Sequence, residues 1–255
     1  MRPEILSSVT IAFVLAATAC GGQSAQTAST TAQKPPGPTV EYQARWDKLT
    51  PPATFDEVEM IIDFAPGAWT SVHFHGGPGF VMVVTGEVTK RAHGTETVYK
   101  AGQTWNEEAG DVHQAGNATL TPVRAIAVVL LPKGAVLTTT VAGSPKPVIP
   151  ATITKTTLGD PAVPSSVDQI RTVFDFGPGA WTPRHMHSGP ALVIVLEGEM
   201  TVRQGGSDKV FKAGESWTEV AGQVHQAGNT SSVKARVVSN YLVPSGEPAT
   251  TVVGS

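Results

Sequence analysis

Only one cysteine, Cys20, occurs among the 255 residues, so no disulfide can close within the chain. Charged residues make up 15% of the sequence and the net charge is −3, with no basic run, which argues against nucleic acid as a partner. Gly-x-Ser-x-Gly is absent, as is a phosphate-cradling glycine loop, and no thiol follows Cys20. Those absences remove serine hydrolases, P-loop nucleotide chemistry and a cysteine nucleophile in the body of the chain. The apolar segment 9–19 falls short of the roughly 20 helical residues that a bilayer span requires. Beyond it, no segment shows a convincing helical period.

What is present points to strands. Apolar residues are 40% of a chain that also carries 26 Gly and 20 Pro, a globular composition rich in turns. Short or alternating apolar runs read as strands at 58–64, 70–74, 80–84, 88–91, 97–99, 104–106 and 124–131. Many short strands at close spacing imply a sandwich or barrel.

Arg2, the apolar segment 9–19 and the small residues Ala17-Thr18-Ala19 before Cys20 form the pattern of a cleaved export signal. The segment resembles a bacterial lipoprotein signal, which implies that Cys20 is the lipidated N-terminus of the mature protein. An ordinary secretion signal, with Cys20 incidental, is the alternative. Either route places the mature chain outside the cytoplasm, and a lipid on Cys20 would be its only hold on a membrane. Residues 20–39, mostly Gly, Ser, Thr, Gln, Ala and Pro, read as a flexible tether.

Shifted by 112 residues, the sequence falls on itself without a gap, and 32 of the 60 pairs between 58–117 and 170–229 are identical. Two domains result, 40–143 and 165–255, each close to the size that supports one hydrophobic core. The connector 144–164, with five prolines, is extended and available to lend an edge strand.

Six of the seven histidines obey the shift: His73, His75 and His113 fall on His185, His187 and His225, whereas His93 falls on Gly205. On a strand, residues two apart share a face, so His73 and His75 aim into one space, and His113 supplies a third imidazole. Three neutral imidazoles make a transition-metal site with open positions. Six buried imidazoles without a metal would each need a neutral partner.

Gly67-x5-His73-x-His75 with Gly86, then Gly102-x7-Gly110-x2-His113-x3-Asn117, is similar to the two signature motifs of the cupin superfamily, and the second copy repeats them. The resemblance implies an all-β chain of two tandem cupin domains (double-stranded β-helix, or jelly-roll, barrels), a bicupin of the quercetin-dioxygenase-like kind. It implies one divalent transition metal per domain (Fe, Mn, Zn, Ni or Cu) on His73, His75 and His113 and on His185, His187 and His225. The family's usual glutamate would stand at 79 or 80 and at 191 or 192. Here those residues are Gly79, Phe80, Ala191 and Leu192, so all-histidine sites are expected. Such sites suit a small anionic or enolate-like substrate, as in thiol, diketone and gentisate-type dioxygenases.

Glu107 and Glu219, in Trp-x-Glu, are catalytic candidates as general base or rim acid, or else exposed strand ends. Gln114 and Gln226 are candidates to orient an imidazole or a ligand. Asn117 and Asn229 follow glycine and favour a turn role. Trp105 and Trp217 are expected to pack beneath the barrel, and Trp69 and Trp181 either to pack or to line a pocket. The expected activity is a dioxygenase-like oxidoreductase on a small organic molecule. The alternatives are a non-catalytic binder of metal or small ligand and a Lewis-acid isomerase or lyase. A homodimer is compatible with this composition.

Overall fold

A computed structural model describes residues 35–254, so the export signal, Cys20 and the tether up to residue 34 lie outside the described residues. The described chain is all-β, with no helix among the described residues. In the N-terminal half run β1 (Thr39–Leu49), β2 (Phe55–Phe64), β3 (His73–His75), β4 (Gly79–Thr85) and β5 (Glu87–Ala92). They are followed by β6 (Thr95–Lys100), β7 (Thr104–Glu107), β8 (His113–Gly116), β9 (Val123–Pro132) and β10 (Thr138–Thr140). The connector contributes β11 (Thr152–Gly159). The C-terminal half runs through β12 (Val167–Phe176), β13 (His185–His187), β14 (Ala191–Glu197), β15 (Glu199–Gln204) and β16 (Ser207–Lys212). It ends with β17 (Ser216–Glu219), β18 (His225–Gly228), β19 (Ala235–Pro244) and β20 (Thr250–Val252).

The strands form four five-stranded antiparallel sheets, two to each half: two tandem jelly rolls, as the motifs imply. Each half is closed by a strand from outside it. β11 pairs with β2 along its whole length, so the connector is the edge strand of the first barrel. β1, the first strand of the N-terminal half in sequence, pairs instead with β12 of the second half, and carries residues 40–49 of the expected first domain into the second barrel's sheet. Its sequence alternates exposed and covered residues, as an outer strand requires.

The apolar run of β9 and the stretch Met60-Ile61-Ile62 of β2 are explained by burial on both faces. Val58, Met60, Ile62 and Phe64 enter the first barrel with Ala125, Ala127 and Val129. The alternate residues Ile61, Met82 and Ile126 pack against Val173, Ile194 and Val238 of the second half. Within this largely apolar interface sits Arg171, fully buried, whose guanidinium donates to Asn240 Oδ1 (2.7 Å) and to the Ile126 and Phe80 carbonyls (2.9 and 3.1 Å) of the first half. Glu57 and Glu59 are buried in the same layer, and burial pushes both carboxyls up to about 8 although the Arg171 charge opposes it.

Candidate metal centres

β3 and β8 lie side by side with His73 directly opposite His113, and β13 and β18 set His185 opposite His225 in the same way. His75 and His187, two residues along, complete each trio, so all six histidines are buried and gathered into two clusters. Within each cluster the ligand nitrogens lie within 4.8 Å of one another.

Every ring is held from behind. The Nδ1–H groups of His73, His75 and His113 donate to the carbonyls of Ser71 (2.7 Å), Leu137 (2.9 Å) and Asp111 (2.9 Å). In the second half the carbonyls of Pro183 (2.8 Å), Ala249 (2.9 Å) and Gln223 (3.0 Å) take the same parts. A carbonyl only accepts, so each Nδ1 carries the proton and each Nε2 offers a lone pair to the shared centre. Burial, reinforced by the neighbouring imidazoles, pushes His73 and His185 down to about 4, which keeps them neutral.

A carboxylate stands at each centre, where the sequence reading left none. Glu107 is not an exposed strand end: it is buried, with Oε1 3.2 Å from His113 Nε2 and Oε2 3.7 Å from His75 Nε2. Glu219 is closer, at 2.9 Å from His187 Nε2 and 3.0 Å from His225 Nε2. Each is fixed by the indole two residues before it, Trp105 Nε1 donating to Glu107 at 2.7 Å and Trp217 Nε1 to Glu219 at 2.8 Å. These tryptophans also stack on Tyr99 and Phe211, so packing and positioning are one role.

The register explains how the carboxylate arrives. Glu107 pairs with Gly79 across β7 and β4, and Glu219 pairs with Ala191 across β17 and β14. A Cβ on Gly79 would lie 3.0 Å from Glu107 Oε2. The position that lacks the family's glutamate is thus the one beside which the opposite strand delivers a carboxylate.

Burial alone would raise Glu219, but His187 and His225 outweigh it and hold the carboxyl well below the usual range. His225 is raised in turn, because Glu219 beside it overcomes burial. Even so, His225 Nε2 is not aligned for any hydrogen bond. A lone pair facing a carboxylate at 3 Å is repulsive unless a proton or a cation stands between them. Three imidazole nitrogens and one carboxylate oxygen are a fitting donor set for zinc, iron, manganese, nickel or copper.

The remaining sequence candidates lie elsewhere. The Gln114 and Gln226 amides donate to the Thr70 and Thr182 carbonyls and make no hydrogen bond to an imidazole. Asn117 and Asn229 are buried loop braces: Asn117 Nδ2 donates to the Phe64, Ala65 and Thr121 carbonyls, and Asn229 Nδ2 to those of Phe176 and Val233. Trp69 and Trp181 lie flat on Gly116 and Gly228, with Arg91 and Arg203 stacked on their rings. Trp69 also lines a cavity beside His73 and His75.

The sequence matches the family model described as "Cupin domain" twice, at residues 60–129 and 172–241, together more than half of the chain. The chain belongs to the cupin family. Among solved structures, the Lactobacillus farciminis oxalate decarboxylase, as its formate complex, is 13% identical with a TM-score of 0.54, covering 86% of each chain. Bacillus subtilis oxalate decarboxylase at pH 4.6 is 13% identical with a TM-score of 0.55, covering 85% of this chain and 79% of its own. A tomato (Solanum lycopersicum) vicilin is 9% identical with a TM-score of 0.58, covering 82% of this chain and 86% of its own. No curated protein matches by sequence. A decarboxylase and a vicilin share this bicupin fold, so the likeness establishes architecture and leaves the chemistry to the two centres.

Proposed function

We propose that this bicupin is a metal-dependent oxidoreductase of the dioxygenase-like type acting on a small organic substrate. Each half would hold one divalent transition metal through three imidazoles and the carboxylate of Glu107 or Glu219. One observation carries the reading: in both halves, three buried Nε2 atoms, each with its ring's Nδ1 proton held by a carbonyl behind, converge on a buried carboxylate, a donor set that a divalent cation completes. A transition metal bound there supplies Lewis acidity and, where redox active, the one-electron chemistry that dioxygen requires. The chain's own residues do the rest. Backbone carbonyls fix the tautomers, the indoles of Trp105 and Trp217 hold the carboxylates, and the aromatic and aliphatic barrel walls exclude water.

A Lewis-acid lyase is the second reading, favoured by the likeness to oxalate decarboxylases, one of which is described by its Mn(II) centres. Retention of a metal or ligand without turnover is the third. We also propose export with Cys20 lipidated, supported by the residues before it; Cys20→Ser would then abolish incorporation of radiolabelled palmitate.

The test is elemental analysis of protein purified after native export, coupled to oxygen uptake with catechol-like and diketone-like substrates. Two redox-active ions per chain, falling to one in His75→Ala or in His187→Ala, with substrate-dependent oxygen uptake, is the expected result. Two ions with no uptake transfers the assignment to the lyase or to the binder. A metal content near zero that neither substitution changes removes every version.

A further inference from the structure

The two centres are built alike but do not open onto the same space. In the first half, the interior cavity that contains His73, His75, His113 and Glu107 measures only about 20 Å³, room for an ion or a single water. The larger cavity on that side, about 200 Å³, lies under the connector beside His73 and His75 and does not reach Glu107. In the second half one cavity of about 190 Å³ takes in His185, His187 and Glu219 together with the barrel interior.

The copies also differ in what lines that interior. On β9 the inward residues Ala127 and Val129 are apolar. At the equivalent places on β19 stand Ser239 and Tyr241, both lining the cavity. The Tyr241 ring packs against His187, with centroids 4.8 Å apart. As a phenol, Tyr241 carries its proton at neutral pH. A buried hydroxyl pair beside a metal centre has no packing advantage over Val and Ala. It is of use to a ligand that brings an acceptor oxygen.

We propose that the C-terminal centre is the substrate site and the N-terminal centre is not, and that Tyr241, supported by Ser239, donates a hydrogen bond to the oxygen head group of a small organic anion. The rest of that anion lies against Phe174, Phe176 and Val237, which line the same cavity. A compact apolar body with one anionic oxygen head, of the size of a single aromatic ring, is the class of ligand that fits. The inference rests on the reading of both centres as metal sites.

The probe is benzoate, added to the full chain loaded with cobalt(II), with acetate as the control that lacks an apolar body. Benzoate is expected to perturb the visible d–d bands of one of the two cobalt ions. That perturbation should persist in His75→Ala and vanish in His187→Ala. Tyr241→Phe should weaken benzoate by about ten-fold or more, the loss expected for a hydrogen bond to a charged group, at unchanged cobalt content and melting temperature. Acetate should bind more weakly. A response from the N-terminal ion, from both ions or from neither overturns the proposal, as does an unchanged benzoate affinity in Tyr241→Phe. Failure of the metal reading is recognised separately, as cobalt content that does not depend on the histidines.

Discussion

Glu57→Gln should stabilise the protein at alkaline pH and do little at mildly acidic pH. Glu57 is fully buried between the two halves, and neither carboxylate oxygen has a hydrogen-bond partner. Burial, helped by the neighbouring Glu59, pushes its carboxyl up to about 8 against the pull of Arg171, whereas the unfolded chain would titrate near the ordinary value of 4.5. Between those two values the folded state holds a proton that the unfolded state has lost, so stability falls as pH rises through the window. The full loss is reached above pH 8. Each pH unit inside the window removes about 1.4 kcal/mol, and a span of three to four units gives a ceiling of about 5 kcal/mol. Glutamine keeps the shape and removes the ionisation, and Arg171 retains Glu59 as its counter-charge. Thermal melts followed by circular dichroism at pH 4.5 and pH 9, with wild type and variant in the same metal state, should show near-equal Tm at the lower pH, where the carboxyl is protonated in the folded state and about half protonated in the unfolded one. At pH 9 the variant should be higher by up to about 10–20 °C, the ceiling of about 5 kcal/mol at roughly 2–4 °C per kcal/mol for a chain of this size. A pH-independent Tm difference, or a variant that melts lower at pH 9, would refute the assignment of a raised carboxyl to this site.

Glu219→Gln and Glu107→Gln should each weaken divalent-metal affinity in their own half, by about a hundred-fold or more since the only anionic donor is lost; competition with a chromophoric chelator gives the number. Trp217→Phe removes the indole donor that holds Glu219, and a smaller loss of about ten-fold at the C-terminal centre is expected in the same titration, with the N-terminal centre unaffected. Gly228→Ala would place a Cβ 2.1 Å from the Trp181 ring, so the indole must leave its seat. The expected cost is about 2–4 kcal/mol, read as a lower Tm and a changed tryptophan emission spectrum.

Much of this architecture was legible because the repeat supplied its own control. The runs at 58–64, 80–84 and 124–131 became β2, β4 and β9, lengthened by one to three residues where the ladder continues past the apolar run. β1 escaped notice because its alternation includes Glu41, Arg45, Asp47 and Lys48, and because its partner strand lies more than a hundred residues away. β8 is only His113–Gly116, too short for any period to show. The six histidines were found through their spacing and their shared shift. The carboxylates of Glu107 and Glu219 were singled out only as general-base or rim-acid candidates and not as ligands, since Glu107 meets the imidazoles through its register with Gly79, a pairing no local pattern encodes. Its signal was present in the sequence as Trp-x-Glu in both copies, opposite a small residue at the position where the family places its acid.

The places where the copies disagree explain why two halves are joined rather than repeated. Glu59 and Arg171 occupy equivalent positions on β2 and β12, and Glu57 is matched by Gln169. In the chain as it stands, the guanidinium of Arg171 crosses the interface to the Phe80 and Ile126 carbonyls while countering both buried carboxyls. Two N-terminal halves pressed together on the same face would bury four such carboxyls with no guanidinium, and two C-terminal halves would bury two guanidiniums without an acid. The second pairing leaves buried cations with no acid beside them, which is strongly destabilising, and the first leaves carboxyls that burial holds protonated, with the guanidinium's bonds to the Phe80 and Ile126 carbonyls lost. The exchanged strands act in the same direction, because β11 completes the first barrel and β1 the second. Only the N-terminal half against the C-terminal half satisfies both conditions. With the pairing of halves fixed at this interface, the barrel interiors differ independently of it: Ser239 and Tyr241 stand in one half where Ala127 and Val129 stand in the other.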